Sequence, residues 1–187
     1  MSTKPTSPAQ PAPRHVAREE LEAIVSGVHV DPHRVLGAHV DDGTVTVRAL
    51  RPLADAVVVV TEDGEHAATH EHQGVWVVTF PGREVPDYRL RVTYGDHVTT
   101  ADDPYRFLPT LGEVDLHLIA EGRHEELWTA LGANPRTYPS ALGDVSGTSF
   151  AVWAPNARAV RLVGDFNHWQ GVAHALRTLG SSGVWEI

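Results

Sequence analysis

Residues 44–61, TVTVRALRPLADAVVVVT, decide the fold class. Thr44 to Leu50 alternates β-branched and apolar residues with polar ones, Pro52 interrupts the ladder, and Ala56 to Thr61 resumes as a second run. Val57 to Val60 has no polar alternation, which suits a central strand covered on both faces. Further runs follow at Glu65 to His70, Val75 to Phe80 and Tyr88 to Tyr94. Asp42-Gly43, Asp63-Gly64 and Gly95-Asp96 punctuate them as tight hairpin turns. The reading is an all-β sandwich.

The same phrase returns later in the chain. Pro52, Ala54, Ala56 and Val57 recur as Pro155, Ala157, Ala159 and Val160 at an offset of 103, and Gly74-Val75-Trp76 recurs as Gly183-Val184-Trp185 at an offset of 109. Phe150 to Trp153 and Ala159 to Val163 read as strands of this second copy. Its extra residues fall at Gly164 to Gly171, where Gly164-Asp165-Phe166-Asn167-His168-Trp169 reads as a turn. Phe166, Trp153 and Trp185 are expected in the core and Trp169 at the rim. An exposed indole stacks on the apolar face of a sugar ring while Asn or Asp takes its hydroxyls. Trp169, Asn167 and Asp165 are therefore the candidate carbohydrate-binding residues.

Composition narrows the function classes. The chain has 187 residues, no cysteine and a formal net charge of −9, with no basic run. Nucleic acid and anionic membrane are disfavoured as partners, whereas a neutral polysaccharide is indifferent to that sign. No apolar stretch reaches membrane-spanning length and no secretory signal is visible, so the expected compartment is the cytoplasm. A (β/α)8 barrel, at roughly 250 residues, does not fit.

WAPNA at 153–157, VGDFNHW at 163–169 and LGSSGVWEI at 179–187 resemble the family 48 carbohydrate-binding module of bacterial 1,4-α-glucan (glycogen) branching enzymes, members of glycoside hydrolase family 13. Asp31 to His39 resembles the opening of those enzymes' first module. DPYRF at 103–107, LGEVDLHLIAEG at 111–122 and LWTALGA at 127–133 resemble their connector. The resemblance implies two tandem immunoglobulin-like sandwiches, with boundaries at 1–15 (disordered Pro-rich tail), 16–112 (first sandwich with a leading helix over Val16 to Ser26), 113–132 (helical connector) and 133–187 (second, incomplete sandwich). It also implies a catalytic barrel after residue 187 carrying a retaining carboxylate pair. The activity implied is transfer of a cut α-1,4-glucan segment to a glucose 6-hydroxyl, with glycogen or amylose-like chains as partner and no cofactor. The departure lies just after the tip: Gly171, His174 and Arg177 are kept, while the family's other charged positions are replaced by apolar or neutral residues.

Other chemistries fare poorly in the sequence. His66, His70 and His72 approach ligand spacing without a defined third partner, so no metal is expected. Asp41-Asp42 and Asp102-Asp103 read as charged turns, His33 and His39 as turn caps, and Leu116, Leu118, Ile119, Leu127 and Trp128 as connector core. No catalytic residue is assigned in this stretch. The competing readings are a non-catalytic glycogen tether, as in regulatory subunits of AMP-activated kinases, and the N-terminal region of a debranching or trehalose-releasing family 13 enzyme. The tandem copies favour the branching enzyme.

Overall fold

The computed structural model describes residues 11–187. The first ten residues of the expected tail lie outside the described residues. Pro11 and Arg14, which follow, run along a sheet: the Pro11 carbonyl accepts from Thr79 Oγ1 at 2.6 Å, and the Arg14 N–H donates to Thr46 Oγ1 at 3.3 Å. Helix α1, Arg18–Ser26, buries Leu21 and Ile24 and ends at Gly27, whose left-handed φ of 66° returns its N–H to the last carbonyls.

The first module is a sandwich of two four-stranded antiparallel sheets. Its strands are β1 (Gly37–Asp41), β2 (Thr44–Leu50), β3 (Ala56–Thr61), β4 (Gly64–Ala67), β5 (Thr69–His72), β6 (Val75–Pro81), β7 (Tyr88–Tyr94) and β8 (His97–Asp102). One sheet has the order β1-β2-β6-β5 and the other β4-β3-β7-β8. Val45, Val47, Ala49, Val78 and Phe80 from the first meet Val57, Val59, Tyr88, Leu90 and Val92 from the second. Alternation in β2 and β7 thus supplies the two facing layers of one core.

Three readings of this module need correcting. Glu65 to His70 is not one strand: the chain turns a corner at Ala68, whose N–H donates to Val57 O at 2.9 Å, so β4 joins one sheet and β5 the other. Val58 and Val60 are half-buried rather than covered, flanked on the outer face by Arg91, Arg89 and Glu65. The aliphatic stems of such charged residues shield valine without a third layer. Asp103 caps the 3-10 turn Pro104–Arg106 as a turn residue would, but it is fully buried rather than a solvated charge. β1 and the largely exposed edge strand β8 carry too little apolar alternation to be read in advance.

Helices α2 (Glu113–Ala120) and α3 (Leu127–Ala130) form the connector. Ile119 and Ala130 bury against the second module, whereas Leu127 and Trp128 are exposed. A single turn such as α3 is too short to bury more than one face. The second module contributes β9 (Gly132–Tyr138), β10 (Val145–Trp153), β11 (Arg177–Thr178) and β12 (Val184–Glu186) in the order β9-β10-β12-β11. The stretch 159–163, expected as a strand, carries only an isolated bridge from Arg161 to Ala175. Its counterpart β3 is fixed between β4 and β7, and no such flanking pair is formed around 159–163.

Around the Trp hairpin the repeat extends to individual hydrogen bonds. Arg51 N–H donates to Gly74 O at 2.8 Å, and Ala154 N–H donates to Gly183 O at 2.8 Å. Trp76 Nε1 donates to Arg51 O at 3.3 Å, and Trp185 Nε1 donates to Ala154 O at 3.1 Å. Ala49 pairs with Trp76, and Val152 pairs with Trp185. The copies also share Leu36-Gly37-Ala38 and Leu131-Gly132-Ala133, where each glycine opens the edge strand and pairs with Arg48 or Ala151. Each copy of the Trp hairpin needs a glycine under a proline. Gly74 has φ 89° with Pro52 Cα 2.9 Å from where a Cβ would stand; Gly183 has φ 77° with Pro155 Cβ 2.7 Å away.

Gly183→Ala therefore meets both left-handed strain and a proline, whereas Gly180→Ala, at φ 59° with open space around it, meets strain alone. The expected losses of stability are roughly 2–4 kcal/mol for Gly183→Ala and about 1 kcal/mol for Gly180→Ala. Urea unfolding of the two variants checks this, and equal losses would remove the proline contact from the account.

Candidate glucan-binding site

The aromatic tip begins at Gly164 and closes within six residues. A 3-10 turn over Asp165–Asn167 is followed by two non-glycine residues with left-handed backbone, His168 at φ 51° and Trp169 at φ 59°. Such a pair costs on the order of 1–2 kcal/mol per residue and persists only where neighbouring contacts enforce it. Here the Trp169 N–H donates to Gly164 O at 3.0 Å, and the indole Nε1 donates to Asp165 Oδ1 at 2.9 Å. The indole is 67% exposed, so the enforced backbone presents a large aromatic face to solvent.

Asn167 works inward. Its Oδ1 accepts from the Gly164 N–H at 3.0 Å, and its Nδ2 donates to Leu162 O at 2.9 Å and to His174 Nδ1 at 3.2 Å. With both ends of its amide engaged, Asn167 is the pin of the turn and has little capacity left for a sugar hydroxyl. Asp165 keeps Oδ2 free of the indole. The three candidate residues are thus brought together, with Trp169 presenting an exposed aromatic face, Asp165 orienting it and Asn167 holding the loop.

Phe166 and Trp153 depart from the sequence expectation. Phe166 is 61% exposed, with its ring edge-on to His174 at 5.4 Å and lying over Gly164, where a Cβ would stand 2.6 Å from the ring. Trp153 is 54% exposed and donates from Nε1 to Ser182 O at 3.2 Å. Only Trp185 is buried as expected, at 3% exposure. In the first module the inner faces of two sheets close on each other, whereas here the face above β10 is covered only by the thin 159–163 segment, and an apolar space lined by Phe150, Trp153, Val160 and Leu176 remains beneath it.

The three residues retained after the tip all have structural duties. Gly171 is buried against Arg161 and Val163, His174 accepts from Asn167, and Arg177 Nη1 donates to Phe107 O at 3.1 Å. His174 is the support of the tip that turn composition missed; its place beside Gly171 and Arg177 was the available signal. Elsewhere, His66 stacks on Phe80 at 4.0 Å and His70 Nε2 accepts from the Gly74 N–H at 3.0 Å. Among the described residues no group of three or more His, Cys, Asp or Glu could hold a metal ion. No helix among them is long and apolar enough to cross a membrane.

Comparison with known proteins places each module. Residues 17–105 match the family described as alpha-1,4-glucan branching enzyme GlgB, N-terminal domain, and residues 130–187 match carbohydrate-binding module 48, the isoamylase N-terminal domain. The first module is thus similar to the GlgB N-terminal domain and the second to carbohydrate-binding module 48. The chain is 58% identical over 170 residues to the 1,4-alpha-glucan branching enzyme GlgB of Thermobifida fusca, covering 90% of this chain and 23% of that one. It is 54% identical over 183 residues to GlgB 1 of Streptomyces avermitilis, covering 98% of this chain and 21% of that one. The chain thus spans less than a quarter of the length of these curated relatives. Among solved structures, a pullulanase from Paenibacillus barengoltzii in complex with maltohexaose and alpha-cyclodextrin aligns over 63% of this chain and 19% of its own, at 23% identity and a TM-score of 0.35.

The hydrogen bond from Asn167 requires a neutral imidazole nitrogen on His174. Burial, then the charge of Arg51, lowers the His174 pKa to about 4; burial, then Arg177 and His39, lowers that of His33, in the first module, to about 3. An unfolded histidine protonates near 6.5. Above that value both states are neutral and the contribution is fully present; as pH falls from 6.5 towards 4 only the unfolded chain takes up protons, so stability falls. The expected slope is at most about 1.4 kcal/mol per pH unit for each histidine. Urea midpoints between pH 7 and 4.5 check this, with a shallower slope expected in His174→Gln; an unchanged slope in that variant would show that His174 titrates normally in the fold.

Proposed function

We propose that this chain is the glucan-binding and positioning region of a 1,4-alpha-glucan branching enzyme. Its parts are a first sandwich over 16–112, a connector over 113–132 and a carbohydrate-binding module over 133–187. The observation that carries the reading is the order of the two family matches on one chain, with continuous identity to GlgB proteins running through the connector between them. A lone glycogen tether has no use for the first sandwich.

In this reading the whole protein cuts an α-1,4-glucan and transfers the segment to a glucose 6-hydroxyl, with its acid/base pair and nucleophile on a family 13 barrel following residue 187. It works without a cofactor, in the cytoplasm, on glycogen or amylose-like chains. The present residues contribute binding: the Trp169 face stacks on a glucose ring, Asp165 Oδ2 accepts from a ring hydroxyl, and the Asn167 pin keeps both in place. A net charge of −9 gives a neutral glucan no penalty while repelling polyanions.

Trp169→Ala tests the reading. Its side chain is largely exposed, so the melting temperature should change little, while affinity for glycogen in gel retardation should weaken by roughly 1–3 kcal/mol, the scale for burying a large aromatic face. Unchanged retention with a lowered melting point would make Trp169 a packing residue and remove the tip from the binding site.

A further inference from the structure

A second cavity lies where the modules meet. The segment leaving the first module, Pro104 to Thr110, faces β9 and β10 across a cleft of about 470 Å³. That volume is within the range of small-molecule sites, roughly 300–1,000 Å³. One wall is apolar: Phe107 and Tyr138 stack at 5.5 Å with 24° between their planes, and Leu108 beside them is 83% exposed. Arg136 stands two residues from Tyr138 on the same face of β9 and adds polar donors to the lining. Arg136 uses Nε on Ser149 Oγ at 3.2 Å, which leaves the two terminal amino groups of a planar donor fork.

Gly147 lines the same cleft, paired with Arg136 across the β9–β10 ladder. Its φ is outside the left-handed region, and a Cβ added to it would meet nothing within 4 Å. Neither backbone conformation nor packing asks for glycine in the middle of this strand, where glycine weakens the ladder. What its missing side chain does provide is open space in the cleft.

The cleft supplies what the tip lacks. The tip offers an aromatic face whose principal amide, Asn167, is already engaged, whereas the cleft sets an aromatic and aliphatic surface beside the uncommitted donors of Arg136. A sugar ring has that same division between an apolar face and a hydroxyl edge. We infer that the inter-module cleft is a second α-1,4-glucan subsite, shared between the connector side of the first module and strands β9 and β10. This rests on the reading of α-glucan as the ligand given under the preceding heading, but it uses residues remote from Trp169.

The test is amide chemical-shift mapping of the full 187-residue chain titrated with maltoheptaose, alongside Gly147→Val, Tyr138→Ser and Trp169→Ala. Valine suits a strand and finds space at 147, so Gly147→Val should melt no lower than the parent. In the parent, shifts are expected at Tyr138, Gly147 and Thr148 as well as at 164–170. In Gly147→Val the first set should be lost or weakened by about tenfold in affinity, the scale of one lost stacking contact, while the second persists. Tyr138→Ser should reproduce that selective loss without filling the cleft. Shifts confined to 164–170, or cleft shifts that survive in both variants, would overturn the second subsite and leave the tip reading intact. No shift at either place would overturn both.

Discussion

The Tyr105 hydroxyl holds the two modules as one body. It accepts from the Ala175 N–H at 2.9 Å and donates to Ala175 O at 3.4 Å, so a side chain of the first module completes the backbone pairing of a residue in the second. Tyr105 is itself set by Asp103, which accepts from its N–H at 3.4 Å and from the Tyr88 hydroxyl at 2.7 Å. Burial raises the pKa of that carboxyl, and Arg51, at 3.8 Å, together with the Tyr88 hydrogen bond, opposes the shift. A satisfied buried polar cluster of this kind specifies one geometry, and removing any one member strands the others.

From Ala175 the same chain of contacts continues to the tip. Leu162 N–H donates to His174 O at 2.9 Å, and the His174 ring accepts from Asn167, which closes the turn beneath Trp169. A path of named hydrogen bonds therefore runs from the sandwich core at Tyr88 to the exposed indole. Other straps act in parallel: Arg177 on Phe107 O, the Thr110 N–H on Glu186 Oε1 at 2.7 Å, and the Thr178 N–H on Val30 O at 2.9 Å. Ligands held at the tip and in the cleft would therefore have a fixed relative placement.

Much of this was legible because repetition is visible in sequence. The Pro-Gly and Trp signals at 52, 74 and 76 recur at 155, 183 and 185 because each copy needs the same glycine under the same proline. The class of the tip was legible too, since Gly, Asp and Asn favour turns. What could not be read were quantities set by distant neighbours. Phe166 and Trp153 look like core residues by local pattern, but core membership depends on a facing sheet, and above β10 only a thin segment is present. Asp103 looks like a surface turn until Tyr88 and Tyr105 converge on it from other elements. The cleft has no sequence signature, because its walls come from residues some thirty positions apart and its defining feature is a side chain that Gly147 does not have.

Native-state hydrogen exchange at the Ala175 amide tests most directly whether the modules form one cooperative body. Among the described residues its acceptor is the Tyr105 hydroxyl alone, so it exchanges when that junction opens. The account predicts an opening free energy within about 1 kcal/mol of that at the Leu90 amide in the sandwich core, and a collapse of Ala175 protection in Tyr105→Phe with Leu90 less affected. An Ala175 amide that exchanges several kcal/mol more easily than Leu90 in the parent protein would mean that the modules open independently, and that the path from Tyr88 to the tip does not hold them together.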